Sequence, residues 1–243
     1  MIPKTIHYCW FGQGEMPQLA VDCIASWHRY MPDWEYQLWC EDNFDINSNF
    51  YIREAYESGK YAFVSDYVRL WALERNGGLY FDVDFEVYKP FDDLLQYHAF
   101  AGFESSKYLP VMMGVCASEP HGIWVREMLS VYEDMHFLRP DGKPDITTSV
   151  QRLTALMVAG GLCQDGTEQD YKDLHVFPVD YFSPRHTTGE YVRTENTYCE
   201  HKGLGSWDTT SDGWKRCLLN VIGQRNMTRL IKLKRHLENI NQT

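Results

Sequence analysis

The chain has 243 residues, enough to bury one sizeable hydrophobic core, and one compact domain over residues 1–243 is expected. Its formal net charge of −11 argues against a general nucleic-acid binder, because such a protein presents a basic face. Seven scattered cysteines without a Cys-x-x-Cys pair indicate reduced thiols. No apolar run approaches the roughly 18 residues of a membrane-spanning helix, and the first residues are typical of a strand rather than a signal peptide, so a cytoplasmic location is expected.

The first half of the sequence alternates strand and helix patterns. Residues 2–11 predict a first strand and residues 34–39 a second, with a helix beginning near Pro17 between them. Such a β-α-β opening indicates an α/β fold with a mostly parallel central sheet flanked by helices.

Two more helices are predicted over residues 48–58 and 61–76. The latter is apolar nearly all round, which is typical of a buried helix. Asp66 and Arg69 lie three residues apart and share a face of it. Because buried charges need partners, the two either pair with each other or face a ligand.

The helix is predicted to end at Gly77-Gly78, and residues 79–81 then predict a short buried strand that runs into Asp82 and Asp84. Two carboxylates there are costly unless a cation or hydrogen bonds offset their desolvation. On a strand, residues i and i+2 point to the same face, with Cα atoms about 7 Å apart. Oxygen ligands of this kind suit Mg²⁺ or Mn²⁺, and the alternative is a solvated acidic turn.

The second half predicts further strands over residues 85–88, 98–103, 111–117 and 174–182, and helices over residues 120–135 and 147–159. Thr147, Thr148 and Ser149 begin the last helix. Capping is the ordinary role of hydroxyls there, and the alternative is that the start of this helix faces a substrate cleft. Residues 198–207 predict a polar, glycine-rich loop.

The C-terminal segment, about residues 212–243, predicts a basic helix. Two interpretations stay open for it. It either carries a solvated basic face over core contacts, or it is an amphipathic segment that rests on an anionic membrane as a peripheral contact.

Four blocks carry a resemblance to a known family: residues 2–12 (IPKTIHYCWFG), 65–69 (SDYVR), 77–84 (GGLYFDVD) and 205–207 (GSW). They stand in the order found in glycosyltransferase family 32, the sugar-binding-region glycosyltransferases with an Asp-x-Asp motif, which are related to the catalytic domains of large clostridial glucosylating toxins. The resemblance implies the GT-A fold. It also implies retaining transfer of a hexose from a nucleotide sugar to a saccharide or lipid-linked acceptor, as in bacterial surface polysaccharide synthesis. A UDP-sugar is the favoured donor and a GDP-sugar the alternative.

The resemblance also implies roles for individual residues near the donor. Trp10 would stack on the nucleotide base. Asp66 and Arg69 would hold the donor sugar, and Asp82 the ribose or sugar. Asp84 would bind Mn²⁺ or Mg²⁺, with Asp82 as a further candidate ligand. Apart from Trp10, these residues are the candidate catalytic groups.

In the C-terminal block, the resemblance makes His201 a candidate metal ligand and Ser206 and Trp207 candidate diphosphate contacts. Lys202 replaces a second aromatic-flanked histidine of the family, and its ammonium group could meet a phosphate. Two other functions remain open at this stage. One is a metal-dependent phosphoesterase or nucleotidyltransferase, and the other is a sugar-nucleotide binding protein without catalysis.

Overall fold

A computed structural model of the chain describes residues 1–104, 110–184 and 193–204. All of these belong to one compact unit, Met1–Leu204. Ser206, Trp207 and the basic segment at 212–243 lie outside the described residues, so the calls made for them stay predictions, as does the single domain over 1–243. In the described part, six cysteines are all free, and none of the helices has the length and apolar character needed to cross a bilayer.

The described ranges contain nine strands and six α-helices. The strands are β1 Thr5–Cys9, β2 Glu35–Trp39, β3 Gly78–Phe81, β4 Phe85–Val87, β5 Ala99–Gly102, β6 Val115–Ser118, β7 Gln169–Tyr171, β8 Leu174–Phe177 and β9 Cys199–His201. The helices are α1 Gln18–Tyr30, α2 Phe50–Glu57, α3 Tyr61–Asn76, α4 Ile123–Ser130, α5 Ser149–Ala159 and α6 Val179–Phe182, and a 3-10 helix spans Asp92–Gln96.

Seven strands form the main sheet, in the order β2-β1-β3-β6-β5-β8-β7. Strand β1 is parallel to β2 and β3, and β5 is parallel to β8. Strand β6 is antiparallel to both β3 and β5, and β7 is antiparallel to β8. Five strands therefore run in one direction and only β6 and β7 are reversed, which confirms the predicted α/β fold with a mostly parallel sheet.

The sheet separates two hydrophobic cores, and strand β3 shows the division. Tyr80 packs into one core, together with residues of α2, α3, α4 and α5. Leu79 and Phe81 pack into the other, together with Trp27 of α1 and Phe85 of β4. Because all four residues of β3 are buried, the polar residues that follow it emerge directly from the centre of the fold.

Several local predictions were wrong, including the bounds of the strand predicted over 111–117, observed as Val115–Ser118, and of the helix predicted over 120–135, observed as Ile123–Ser130. Residues 179–182 form α6 rather than the end of a strand. Cys199–His201 form β9 inside the predicted loop, because they pair with β4 in a separate two-stranded sheet. Asp82 and Asp84 lie in a turn and not on a continuing strand: the amide of Phe85 donates to the carbonyl of Asp82 at 3.2 Å. The strand geometry assumed for the two carboxylates therefore does not apply.

Candidate functional site

Gly77 and Gly78 bring helix α3 close to the turn that carries Asp82 and Asp84, which we call the acidic turn. Gly77 and Gly78 have φ values of 64° and 107°, a region that favours glycine. A Cβ atom on Gly78 would lie 2.5 Å from the carbonyl oxygen of Thr5, so this glycine allows β3 to pack closely against β1. Strand β3 thus follows α3 with almost no connecting loop, and Asp82 comes within 3.2 Å of Arg69.

Arg69 is 4% exposed and lies at the centre of the site. Its Nη2 contacts Asp66 Oδ1 at 2.9 Å and Asp82 Oδ1 at 3.2 Å. Nη1 donates to the carbonyl oxygen of Met113 at 2.6 Å, and Nε donates to that of Ser65 at 3.2 Å. Every nitrogen of the guanidinium group therefore has a protein partner. The predicted pairing of Asp66 with Arg69 is present, and Arg69 also joins α3 to the acidic turn.

Asp66 is held from a second direction by helix α5. The hydroxyl of Ser149 donates to Asp66 Oδ1 at 2.6 Å, and the Ser149 amide donates to Oδ2 at 3.2 Å. Burial raises the pKa of Asp66, while the charge of Arg69 and the hydrogen bonds from Ser149 act in the opposite direction. The two oxygens of this buried carboxylate thus receive three protein contacts.

Asp82 is the more accessible carboxylate, with 32% of its side chain exposed. The hydroxyl of Tyr80 donates to Asp82 Oδ1 at 2.9 Å, and the amide of Asp82 donates to the carbonyl oxygen of Gly114 at 2.8 Å. A Cβ atom on Gly114 would lie 2.8 Å from Asp82 Oδ2 and 2.7 Å from the ring of Phe85. The missing side chain at position 114 therefore leaves the space that the Asp82 carboxylate occupies.

Asp84 points to the opposite side of the turn, toward β9. Its Oδ2 accepts hydrogen bonds from His201 Nε2 at 3.1 Å and from the Leu204 amide at 2.7 Å. The His201 ring stacks on Phe85 with a centroid distance of 4.6 Å. Burial alone would lower the pKa of His201, but the hydrogen bond and charge of Asp84, and then the charge of Glu104, raise it to about 9. His201 is therefore protonated at neutral pH and pairs with Asp84.

Negative charge is concentrated around this turn. Burial and the charges of Asp82 and Asp84 raise the pKa of Glu104, against the opposing effect of His201. Carboxylates and an imidazole form a donor set that suits Mn²⁺ or Mg²⁺, and a cation would offset the repulsion among the carboxylates. Within residues 1–104, 110–184 and 193–204, no three such side chains are arranged to enclose an ion as they stand. The donor chemistry thus fits a divalent ion, and the ion would have to replace the proton on His201.

Lys202 follows β9 and contacts Asp84 through its backbone. Its amide donates to the carbonyl oxygen of Asp84 at 2.8 Å. Its ammonium group contacts Glu86 at 2.7 Å and Glu200 at 3.2 Å. The predicted contact with a phosphate would require Lys202 to exchange one of these carboxylate partners.

Trp10 directly follows strand β1. Its amide donates to the carbonyl oxygen of Trp39 at 3.0 Å, and its indole Nε1 donates to the carbonyl oxygen of Gly14 at 2.5 Å. The side chain is partly exposed and belongs to neither hydrophobic core. Trp10 is therefore available at the surface, as its predicted contact with a base requires.

Sequence reasoning missed several residues of the site. Tyr80 has the pattern of an ordinary core residue, and Gly114 and Met113 lie in a stretch without a motif. Thr148 caps α5 as predicted, in a capping box with Gln151. The neighbouring contact from Ser149 to Asp66 joins residues that are 83 positions apart, and no local signal indicates it.

Comparison with known proteins gives a match in the same region. Residues 17–101 match the family described as "Glycosyltransferase sugar-binding region containing DXD motif". Glucan organizing enzyme 1 of Cryptococcus neoformans is 36% identical over 81 residues, which cover 30% of this chain and 22% of that protein. Inositol phosphoceramide mannosyltransferase 3 of Schizosaccharomyces pombe is 33% identical over 102 residues, which cover 40% of this chain and 28% of that protein. The matches thus span only about a quarter of the length of these relatives.

Among solved structures, the PaToxG glycosyltransferase aligns with 53% of this chain and 59% of its own, at 17% identity and a TM-score of 0.45. The family match includes Asp66, Arg69 and Asp82, which meet at Arg69, and Asp84 on the other side of the turn. The predicted resemblance to the DXD-type glycosyltransferases is thus confirmed over residues 17–101.

Proposed function

We propose that this chain is a DXD-type glycosyltransferase that transfers a hexose from a nucleotide sugar, with a UDP-sugar favoured, to a saccharide or lipid-linked acceptor. The observation that carries the proposal is the meeting of two separate sequence blocks at Arg69. This residue contacts Asp66 of the helix block at 2.9 Å and Asp82 of the DXD block at 3.2 Å. The arrangement holds carboxylates, one of them accessible, where hydroxyl groups of a donor could donate to them.

Asp82 of the motif and Asp66 of helix α3 would bind the sugar part of the donor in this proposal. Asp82 is anchored through Oδ1 by Tyr80 and Arg69 and is partly exposed, so it would accept a hydroxyl of the ribose or the donor sugar. Asp66 would meet the sugar from the helix side. Because the guanidinium nitrogens of Arg69 already have protein partners, its main contribution is to orient these two carboxylates, and it would contact the donor only by exchanging one of them.

A divalent ion, Mn²⁺ or Mg²⁺, would be held by Asp84 with Asp82 and His201, next to Glu104. When bound, such an ion neutralises the charge that develops on the departing nucleoside diphosphate. The protonated His201 occupies Asp84 in the ion-free arrangement, at 3.1 Å. It would have to lose this proton before its ring nitrogen could act as a ligand.

Retention of configuration is proposed without a carboxylate nucleophile. Retaining glycoside hydrolases use a free carboxylate that forms a covalent intermediate. Asp66 is poorly suited to that role, because Ser149 and Arg69 engage its oxygens. Attack of the acceptor hydroxyl on the face that the diphosphate leaves requires no enzyme nucleophile. The bond from the acceptor oxygen to the anomeric carbon forms as the bond to phosphate breaks, and the hydroxyl proton passes to a phosphate oxygen.

The rest of the donor site rests on the resemblance. Trp10 would stack on the base, and Ser206 and Trp207 would contact the diphosphate. The basic segment at 212–243 would contact an anionic membrane if the acceptor is lipid-linked.

Incubation of the protein with Mn²⁺ and a panel of UDP- and GDP-sugars tests the proposal. Release of nucleoside diphosphate, dependent on Mn²⁺ and absent in Asp84→Asn, is the expected result. Release of nucleoside monophosphate would instead support a phosphoesterase. Binding of a nucleotide sugar without turnover, with any saccharide or lipid-linked acceptor offered, would support a binding protein and contradict the proposed transfer.

A further inference from the structure

Helix α5 reaches the site through its first residue. Ser149 is 2% exposed, and both of its hydrogen-bond donors go to the carboxylate of Asp66, at 2.6 Å from the hydroxyl and 3.2 Å from the amide. Hydrogen bonds to an ionised carboxylate are shorter and stronger than neutral ones, and the hydroxyl contact has this character.

Helix capping does not explain the Ser149 hydroxyl. The residue before it, Thr148, is the N-cap, and its hydroxyl accepts from the amide of Gln151 at 3.3 Å. In return, the side chain of Gln151 accepts from the amide of Thr148 at 3.2 Å. The capping box is therefore complete without the hydroxyl of Ser149, which is directed instead to a residue 83 positions away.

The hydrogen bond from the Ser149 hydroxyl favours the ionised form of Asp66. A buried carboxylate is driven toward its neutral form, and burial is the largest influence on the pKa of Asp66. Ser149 and Arg69 oppose that influence from two sides. Without the Ser149 hydroxyl, Oδ1 would be held by Arg69 alone, and the carboxylate could turn about its χ2 torsion or take up a proton.

We infer that Ser149 is a positioning residue for donor recognition: it fixes the orientation and charge of Asp66 so that the carboxylate meets the donor sugar. The inference rests on the proposed function, in which Asp66 contacts that sugar. It has a specific consequence. Loss of the hydroxyl should weaken binding of the nucleotide sugar, while binding of the nucleoside diphosphate, which lacks the transferred hexose, should be unaffected.

The test compares Ser149→Ala with Gln151→Ala, a change on the same helix turn that removes a capping hydrogen bond without touching Asp66. Affinities for UDP-glucose, UDP-galactose and GDP-mannose are measured by calorimetry against those for UDP and GDP, with Mn²⁺ present. Hydrogen bonds to charged groups contribute enough that Ser149→Ala should weaken binding of the active nucleotide sugar about tenfold or more and leave the matching diphosphate unchanged. Gln151→Ala should change neither affinity, although it should lower the melting temperature.

Equal loss of affinity for nucleotide sugar and diphosphate, or no loss for either, would overturn the inference. Ser149→Cys guards against misfolding of the alanine variant, because a thiol fills the site but is only a weak donor. It should show the same selective loss. If the wild-type protein turns over a nucleotide sugar while both Ser149 variants bind it normally, only the role of Ser149 is refuted. If the wild-type protein neither binds nor turns over any of them, the proposed function fails and this inference fails with it.

Discussion

Replacement of Arg69 by methionine tests whether this residue organises the site. The change keeps an unbranched apolar side chain in the buried space but removes the contacts to Asp66 and Asp82. Removing one partner of a buried ion pair destabilises a protein by about 3–5 kcal/mol, because the other charge is left without compensation. Asp82 is about one-third exposed, so water replaces part of its lost partner, and the lower end of that range is expected.

Arg69→Met should therefore fold, since native domains are stable by about 5–15 kcal/mol. Its free energy of unfolding, measured with urea, should fall by about 3 kcal/mol. Asp66→Asn removes the charge on the other side of the same contact, so the double variant should be more stable than the sum of the two single effects predicts. Residues in direct contact show interaction energies of about 0.5–3 kcal/mol in such cycles.

The pH dependence gives an independent check. Burial raises the pKa of Asp66 and Arg69 lowers it, so removing Arg69 should raise the pKa in the folded state further above its ordinary value of 3.8. A carboxyl group whose pKa is higher in the folded than in the unfolded protein binds a proton first in the folded state as the pH falls. The stability deficit of Arg69→Met relative to wild type should therefore shrink between pH 7 and pH 4. Additive single effects and a deficit that does not change with pH would mean that Arg69 contributes by packing alone.

Three further predictions concern the turn and the base. Asp84→Asn should abolish Mn²⁺-dependent turnover although the protein still folds. Asp82→Asn should strongly reduce turnover but retain more Mn²⁺ binding than Asp84→Asn, as measured by metal titration. Full activity in both variants would exclude the proposed metal site. Trp10→Ala should weaken UDP binding by about ten- to a hundredfold in calorimetry, because stacking on a base contributes about 1–3 kcal/mol, and Trp10→Phe should lose less. Unchanged UDP affinity with a lower melting temperature would make Trp10 a structural residue only. Gly114→Ala should lower both turnover and stability, the latter by about 1–3 kcal/mol, because its Cβ would lie 2.8 Å from Asp82 Oδ2; wild-type turnover in this variant would show that the position of Asp82 tolerates displacement.

The parts of the fold that could be predicted from the sequence are those with strong local signals. Helix α3 has the predicted bounds, Tyr61–Asn76, because an apolar helical pattern ends at a pair of glycines. The first two strands and α1 follow from the same kind of pattern. The pairing of Asp66 with Arg69 was expected as one of two interpretations, because residues three apart share a helix face.

The remaining parts depend on contacts between distant segments. Strand β9 is short and follows a polar stretch, and only its pairing with β4 makes it a strand. The contact of Asp66 with Ser149 and the space left by Gly114 arise from packing of elements that are far apart in sequence. The sequence pattern also placed Asp82 and Asp84 on one strand face, whereas the turn directs them to different partners.

This separation of the two carboxylates affects how an ion could bind. Asp82 is held on the α3 side by Arg69 and Tyr80, at 3.2 and 2.9 Å. Asp84 is held on the β9 side by His201 and by the amide of Leu204. An ion that displaces the proton of His201 would therefore change the contacts of Asp84, whereas Asp82 could bind it through Oδ2 and keep the contacts of Oδ1 with Arg69 and Tyr80. In the proposed function, the carboxylates assigned to the sugar are thus held by protein contacts without an ion, and an ion would rearrange only Asp84 and His201.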